Sequence, residues 1–154
     1  MIDRLTEAQR SLNMRRIRGI DTLPELILRR ALHSLGLRYA VNKRDLPGSP
    51  DIALSRFKTV VFVHGCFWHG HACYRAKIPS TRTEFWTNKI QANQARDARV
   101  EHALRELHWR IIVVWECSLQ GRTKLGAQTV ANACFEFVNR NYPDRLEIAG
   151  QQSP

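Results

Sequence analysis

Between Val63 and Cys73 the chain reads Val-His-Gly-Cys-Phe-Trp-His-Gly-His-Ala-Cys, with two cysteines and three histidines in eleven residues and no apolar periodicity. A segment with no hydrophobic face to bury needs something other than side-chain packing to hold it, and a metal ion does this. Thiolate and imidazole together are the donors zinc prefers, and its tetrahedral shell takes four. Cys66, His71 and Cys73 supply three at loop spacing. Cys117, directly after the apolar run that ends in Trp115-Glu116, is the natural fourth, because a ligand from a buried strand would clamp the loop to a sheet. The alternative, unrelated buried thiols and surface histidines, sits poorly with such clustering. The spacing matches no common zinc-finger register, so the site reads as structural and closed. Cys134 lies mid-helix on an apolar stripe and reads as core. His64 and His69 are left beside the cluster, free to act as base, acid or phosphate contact.

The elements on either side suit a small α/β or α+β sheet covered by helices. Thr22-Leu23-Pro24-Glu25 reads as a capping box ahead of Leu26, Ile27, Ala31, Leu32 and Leu35 at helical spacing, with Gly36 as the stop. Leu37 to Val41, Asp51 to Leu54 and Phe57 to His64 read as strands, the last two joined as a hairpin through Ser55-Arg56. Thr83 caps a long helix to about Leu107, with Ile90, Ala95, Val100 and Leu104 inward. Trp109 to Trp115 is apolar almost throughout, as in a strand buried on both faces. A last helix from about Thr123 to Asn139 carries Leu125, Val130, Ala133, Cys134 and Phe137.

The 154 residues make one domain, with residues 1–20 as an arm and 145–154 as a flexible tail. The net charge is +10, nine of those charges fall in the first ninety residues, and arginine dominates. That asymmetry favours a polyanion, nucleic acid ahead of an anionic membrane surface. No apolar run is long enough for a membrane span, and the N-terminus lacks the apolar core of a secretory signal. The expected compartment is therefore the cytoplasm, with no membrane partner.

Pro50-Asp51 opens a strand whose hairpin partner ends at Val63-His64, where an aspartate can hold a hard cation against a phosphate. Read alone, Asp51 is equally a turn residue. Phe67, Trp68 and Trp86 could be core, but adjacent aromatics in a metal-bound loop on a basic face suit wedges that open base steps, and Met14 of the arm could serve from the minor groove.

The stretches Asn13-Met14-Arg15, Asp21-Thr22 with Glu25, Leu46-Pro47-Gly48 through Pro50-Asp51, His64-Gly65-Cys66-Phe67-Trp68-His69, His71 with Cys73-Tyr74, Thr81 to Trp86, Lys89-Ile90, Asn93, Arg96-Asp97 and Val113 to Cys117 carry a close resemblance to the very short patch repair endonucleases of bacteria. The resemblance implies a single nuclease domain with a restriction-endonuclease-like fold, a mixed sheet flanked by helices. It also implies nicking of one strand 5′ to the thymine of a T:G mismatch left by deamination of 5-methylcytosine. Asp51 would bind magnesium, together with the backbone carbonyl of Val63, a position where the family has threonine. His69 would be the first candidate for general base or its relay, His64 would steady the phosphate, and Glu25 and Asp97 would partner hydrated metal or orient a histidine. The zinc ligands fall on Cys66, His71, Cys73 and Cys117, the intercalating aromatics on Phe67, Trp68 and Trp86, and the base-reading residues on Lys89 and Asn93. A monomer acting in the bacterial nucleoid is expected, with mismatch-repair proteins and a repair polymerase as partners. The rival readings are a zinc-stabilised DNA-binding module without catalysis and a nuclease of broader specificity.

Overall fold

A computed structural model describes residues 5–16 and 19–152. Met14 lies in the first helix, but its side chain is outside the described residues, as are residues 17 and 18 of the expected arm.

Helices α1 (Glu7–Arg16) and α2 (Leu23–Ser34) precede strands β1 (Ala40–Val41), β2 (Ile52–Leu54) and β3 (Thr59–His64). Then come α3 (Thr83–Glu106), β4 (Arg110–Trp115), α4 (Glu116–Leu119), α5 (Ala127–Val138) and β5 (Arg145–Ile148). The five strands lie in sequence order in one mixed sheet. β1, β2 and β3 pair antiparallel, whereas β3–β4 and β4–β5 are parallel, each parallel step crossing over through helices.

Alternation along the strands divides the core between the two faces. Ile52, Leu54, Val61, Ile112 and Val114 face α2 and α5, where Leu28, Leu32, Val130 and Phe137 cover them. Ala53, Val60, Phe62, Ile111, Val113 and Trp115 face the other way, with Leu104 of α3 and Trp109. The expected continuous burial of the fourth strand follows from this two-sided packing, and Cys134 is fully buried in the first cluster, as its apolar stripe indicates.

The structure trims several expected elements. The strand expected from Leu37 contains only Ala40–Val41, because Gly36, at φ +86°, and Leu37 return their N–H groups to His33 and Leu32 in a Schellman-type stop. Thr83 is the first residue of α3 and not its cap; its hydroxyl donates back to the Pro79 carbonyl at 3.1 Å. Ala95 is exposed, while Ile90 and Leu104 are buried. The last helix starts at Ala127, since Gly126 at φ +96° cannot continue a helix backwards. No described helix is long and apolar enough to cross a membrane.

The main correction concerns residues 145–154, expected as a flexible tail. Arg145–Ile148 instead form β5, pairing Ile112 with Leu146 and Val114 with Ile148 along β4. Arg145 also grips Glu101 of α3, with Nε and Nη2 at 3.0 and 3.2 Å from its carboxylate oxygens. Deleting residues 145–154 therefore uncovers one edge of β4 and should lower stability by more than about 3 kcal/mol in urea unfolding. An unchanged midpoint would mean that the segment is a tail after all.

Candidate active site

The C-terminal end of β3, the start of β2, the head of α2 and one face of α3 enclose a cleft of about 730 Å³. Asp51, the residue before β2, reaches across the hairpin so that its Oδ2 accepts the Val63 N–H at 2.7 Å. Burial pushes its carboxyl up to about 7; the Val63 N–H opposes this, and the Glu25 charge adds to it.

His64 ends β3, and its ring stacks on His69, with centroids 3.8 Å apart and planes within 1°. Burial, with the neighbouring His69 charge second, pulls His64 down to about 3, so it is neutral at physiological pH. His69 Nδ1 meets Asp97 Oδ2 of α3 at 2.5 Å. Burial pushes the Asp97 carboxyl up, but the hydrogen bond and charge of His69 outweigh it, and its net position is below the ordinary carboxylate range. An ionised carboxylate can only accept, so the shared proton belongs to Nδ1, and in the neutral imidazole Nε2 is then the nitrogen that carries the lone pair. That pairing spans residues 28 apart in sequence, and the docking of α3 creates it.

Glu25 also lines the cleft, although both of its oxygens are engaged. Oε2 accepts the Asp21 N–H at 3.0 Å and Arg29 Nη2 at 3.1 Å, and Oε1 accepts the Thr22 hydroxyl at 3.0 Å. The expected capping box is thus altered, with Thr22 donating to Glu25 instead of receiving a helix N–H.

The loop beyond β3 is gathered around a second cluster. Donor atoms of Cys66, His71, Cys73 and Cys117 all lie within 4.8 Å of one another, and Cys117 comes from α4, which follows β4 directly. The set of three thiols and one imidazole suits a soft, tetrahedral ion. Burial holds the Cys66 and Cys117 thiols above the ordinary range, so ligation there would release protons. The Gly150 N–H points at Cys117 Sγ at 3.2 Å, which brings the segment after β5 into the support of the cluster. Gly70, at φ +68°, lets the loop pass against α3, where an added Cβ would lie 2.7 Å from Ile90.

Phe67, Trp68 and Trp86 meet edge to face at 5.1 to 6.0 Å between centroids. Trp86 is buried, with its indole N–H unpartnered, and Phe67 and Trp68 are partly exposed above it. Lys89, Asn93 and Arg96 line the cleft from α3, and Asn93 Nδ2 donates to the Trp68 carbonyl at 2.8 Å, which ties the aromatic loop to the helix. Arg96, Glu101 and Trp115 are neighbours of the site that residue type alone did not single out; the signal for Arg96 and Glu101 is their spacing of three and four residues along one face of α3 from Asn93 and Asp97.

A partly buried acid, an oriented histidine and a basic rim in one cleft on a mixed sheet are the groups that a hydrolase acting on a phosphodiester uses. The profile of the DNA mismatch endonuclease Vsr family matches residues 2–75. The chain is 45% identical over 138 residues to the DNA mismatch endonuclease Vsr of Escherichia coli, covering 90% of this chain and 88% of that one. It is 45% identical over 128 residues to the type II nicking enzyme V.XorIIP of Xanthomonas oryzae, with 83% and 94% covered. With the type II nicking enzyme V.NmeAIP of Neisseria meningitidis it shares 44% over 140 residues, with 91% and 94% covered. The chain belongs to the DNA mismatch endonuclease Vsr family.

The raised Asp51 carboxyl has a consequence for the metal-free chain. Its folded value of about 7 lies above the unfolded 3.8, so ionisation favours the unfolded chain as pH rises from about 4 to 7. Below pH 4 the wild type and Asp51→Asn should be equally stable to urea; above pH 7 the variant should lead by about 2–4 kcal/mol. Parallel stability curves across that range would contradict the assigned environment.

Proposed function

We propose that the protein nicks one strand of duplex DNA 5′ to the thymine of a T:G mispair left by deamination of 5-methylcytosine, through magnesium-assisted hydrolysis. Its relatives, a mismatch endonuclease and nicking enzymes, support this reading. The observation that carries it in this chain is the cleft where Asp51, His64, His69 and Asp97 converge.

The residues fit a hard cation at Asp51. A carboxyl raised to about 7 by burial gains from a positive partner, and oxygen donors, this carboxylate with the Val63 carbonyl, are what magnesium prefers. Magnesium held there supplies Lewis-acid polarisation of the phosphate and a lowered pKa for the attacking water. His69 takes the water proton at Nε2 while Asp97 stabilises the imidazolium at Nδ1. Neutral His64 donates an N–H to the scissile phosphate. Glu25, its oxygens shared with Arg29 and Thr22, contributes negative charge beside Asp51.

Zinc on Cys66, His71, Cys73 and Cys117 stiffens the loop that carries His69, Phe67 and Trp68. The two aromatics act as the wedge with Trp86 as their base, Lys89 and Asn93 read the opened bases, and Met14 approaches from the other groove. Unstacking a step costs a few kcal/mol and less at a mismatch, so insertion itself discriminates damaged from paired DNA. The protein acts as a monomer on cytoplasmic DNA.

Labelled duplexes with one T:G mispair or its T:A counterpart, in magnesium, test the reading. Only the mispaired strand should be cut, and Asp51→Ala should slow cutting by roughly 100-fold or more while duplex affinity stays within a few-fold. Equal cutting of both duplexes would indicate a broader nuclease. Binding without cutting by the wild type would indicate the DNA-binding module.

A further inference from the structure

Trp115, the last residue of β4, lies between the two clusters. Its indole stacks on His71, with centroids 4.4 Å apart and planes within 10°, and meets the His64 and His69 rings edge-on at 5.3 and 6.4 Å. The same ring therefore touches a member of the Cys/His cluster and both histidines of the cleft. An indole in such a slot can be turned over about its side-chain bonds, and the two orientations present different edges to the histidines. One contact selects between them: Trp115 Nε1–H donates to Glu147 Oε1 at 2.6 Å.

Glu147 is itself fixed. It lies on β5 opposite Val113, and its Oε2 accepts Arg145 Nη1 at 2.7 Å. Arg145 also clamps Glu101 of α3 through its Nε and Nη2. Glu101 is one helical turn beyond Asp97, the carboxylate that holds His69. A circuit thus closes from β5 through Trp115 to the histidine pair, on through Asp97 to α3, and back through Glu101 and Arg145.

We propose that Glu147, acting through the indole N–H of Trp115, is a positioning residue for the nicking reaction, setting the wall against which the His64–His69 stack is oriented. The inference rests on the nicking reading above. A charge-assisted bond of this length fixes direction as well as distance, and a base displaced by about 1 Å can lose a factor of 100 in rate.

The test uses the zinc-loaded full chain and the T:G duplex under single-turnover conditions. Glu147→Ala should lower the maximal nicking rate roughly 10- to 100-fold, with the half-saturating enzyme concentration within about twofold and zinc content unchanged. Glu147→Gln, which keeps an acceptor, should restore most of the rate. Trp115→Phe, which keeps a ring but lacks the N–H, should match Glu147→Ala, and the double variant should be no slower than either, since both remove one bond. The ring-proton NMR signals of His64 and His69 give a readout independent of cutting: they should move in Glu147→Ala and return in Glu147→Gln. If the wild type fails to nick, the nicking reading fails, and unmoved histidine signals overturn the positioning role separately. Wild-type rates in Glu147→Ala, no rescue by Gln, or losses that multiply in the double variant would also overturn it.

Discussion

The meeting of Cys66, His71 and Cys73 with Cys117 is the constraint on which the rest of the site depends. Three of the donors belong to a loop with almost no apolar core of its own, and the fourth follows β4, a strand buried from Ile111 to Trp115. Joining them fixes the loop against the end of β4. From that anchorage follow the placement of His69 over His64, the reach of His69 to Asp97, and the stack of Phe67 and Trp68 above Trp86. Burial holds the Cys66 and Cys117 thiols above the ordinary range, so a cation bound there would make the loop's order depend on pH and on metal supply.

Around this anchorage the fold separates two tasks. The face of the sheet under α2 and α5 is an apolar core without chemistry, built on Ile52, Val61, Ile112 and Val114. The opposite face and the strand ends hold the charged groups, and there burial tunes them in opposite senses. Asp51 is raised and His64 lowered, both mainly by loss of water, so each is held towards its neutral form. A chain of net charge +10 that keeps Asp51, Glu25 and Asp97 in one cleft concentrates its acidity there and leaves the basic excess for the rest of the surface.

How far the sequence reveals this depends on distance along the chain. Three cluster ligands fall within eight residues, so donor chemistry alone brings them together, and Cys117 follows from the apolar run before it. The long helix and the buried strand are equally legible, because their periodicities are local. The His69–Asp97 pair and the Trp115–Glu147 bond are not, since each depends on elements docking 28 and 32 residues apart. β5 escapes for the same reason: Arg-Leu-Glu-Ile alternates like a strand, but four residues behind Pro143-Asp144 gain their meaning only from the edge of β4. Glu25 shows the converse limit. Its presence near the cleft is legible, and the engagement of both its oxygens by Thr22, Asp21 and Arg29 is not.

The dependence of the cleft on the metal cluster is tested most directly by hydrogen–deuterium exchange of the zinc-loaded chain before and after chelation of zinc, with magnesium kept present. The account predicts that amides in residues 65–82 lose protection and nicking falls with them, while β3 and β4 exchange as slowly as before. A loop that stays protected and a chain that still nicks with the zinc gone would contradict it.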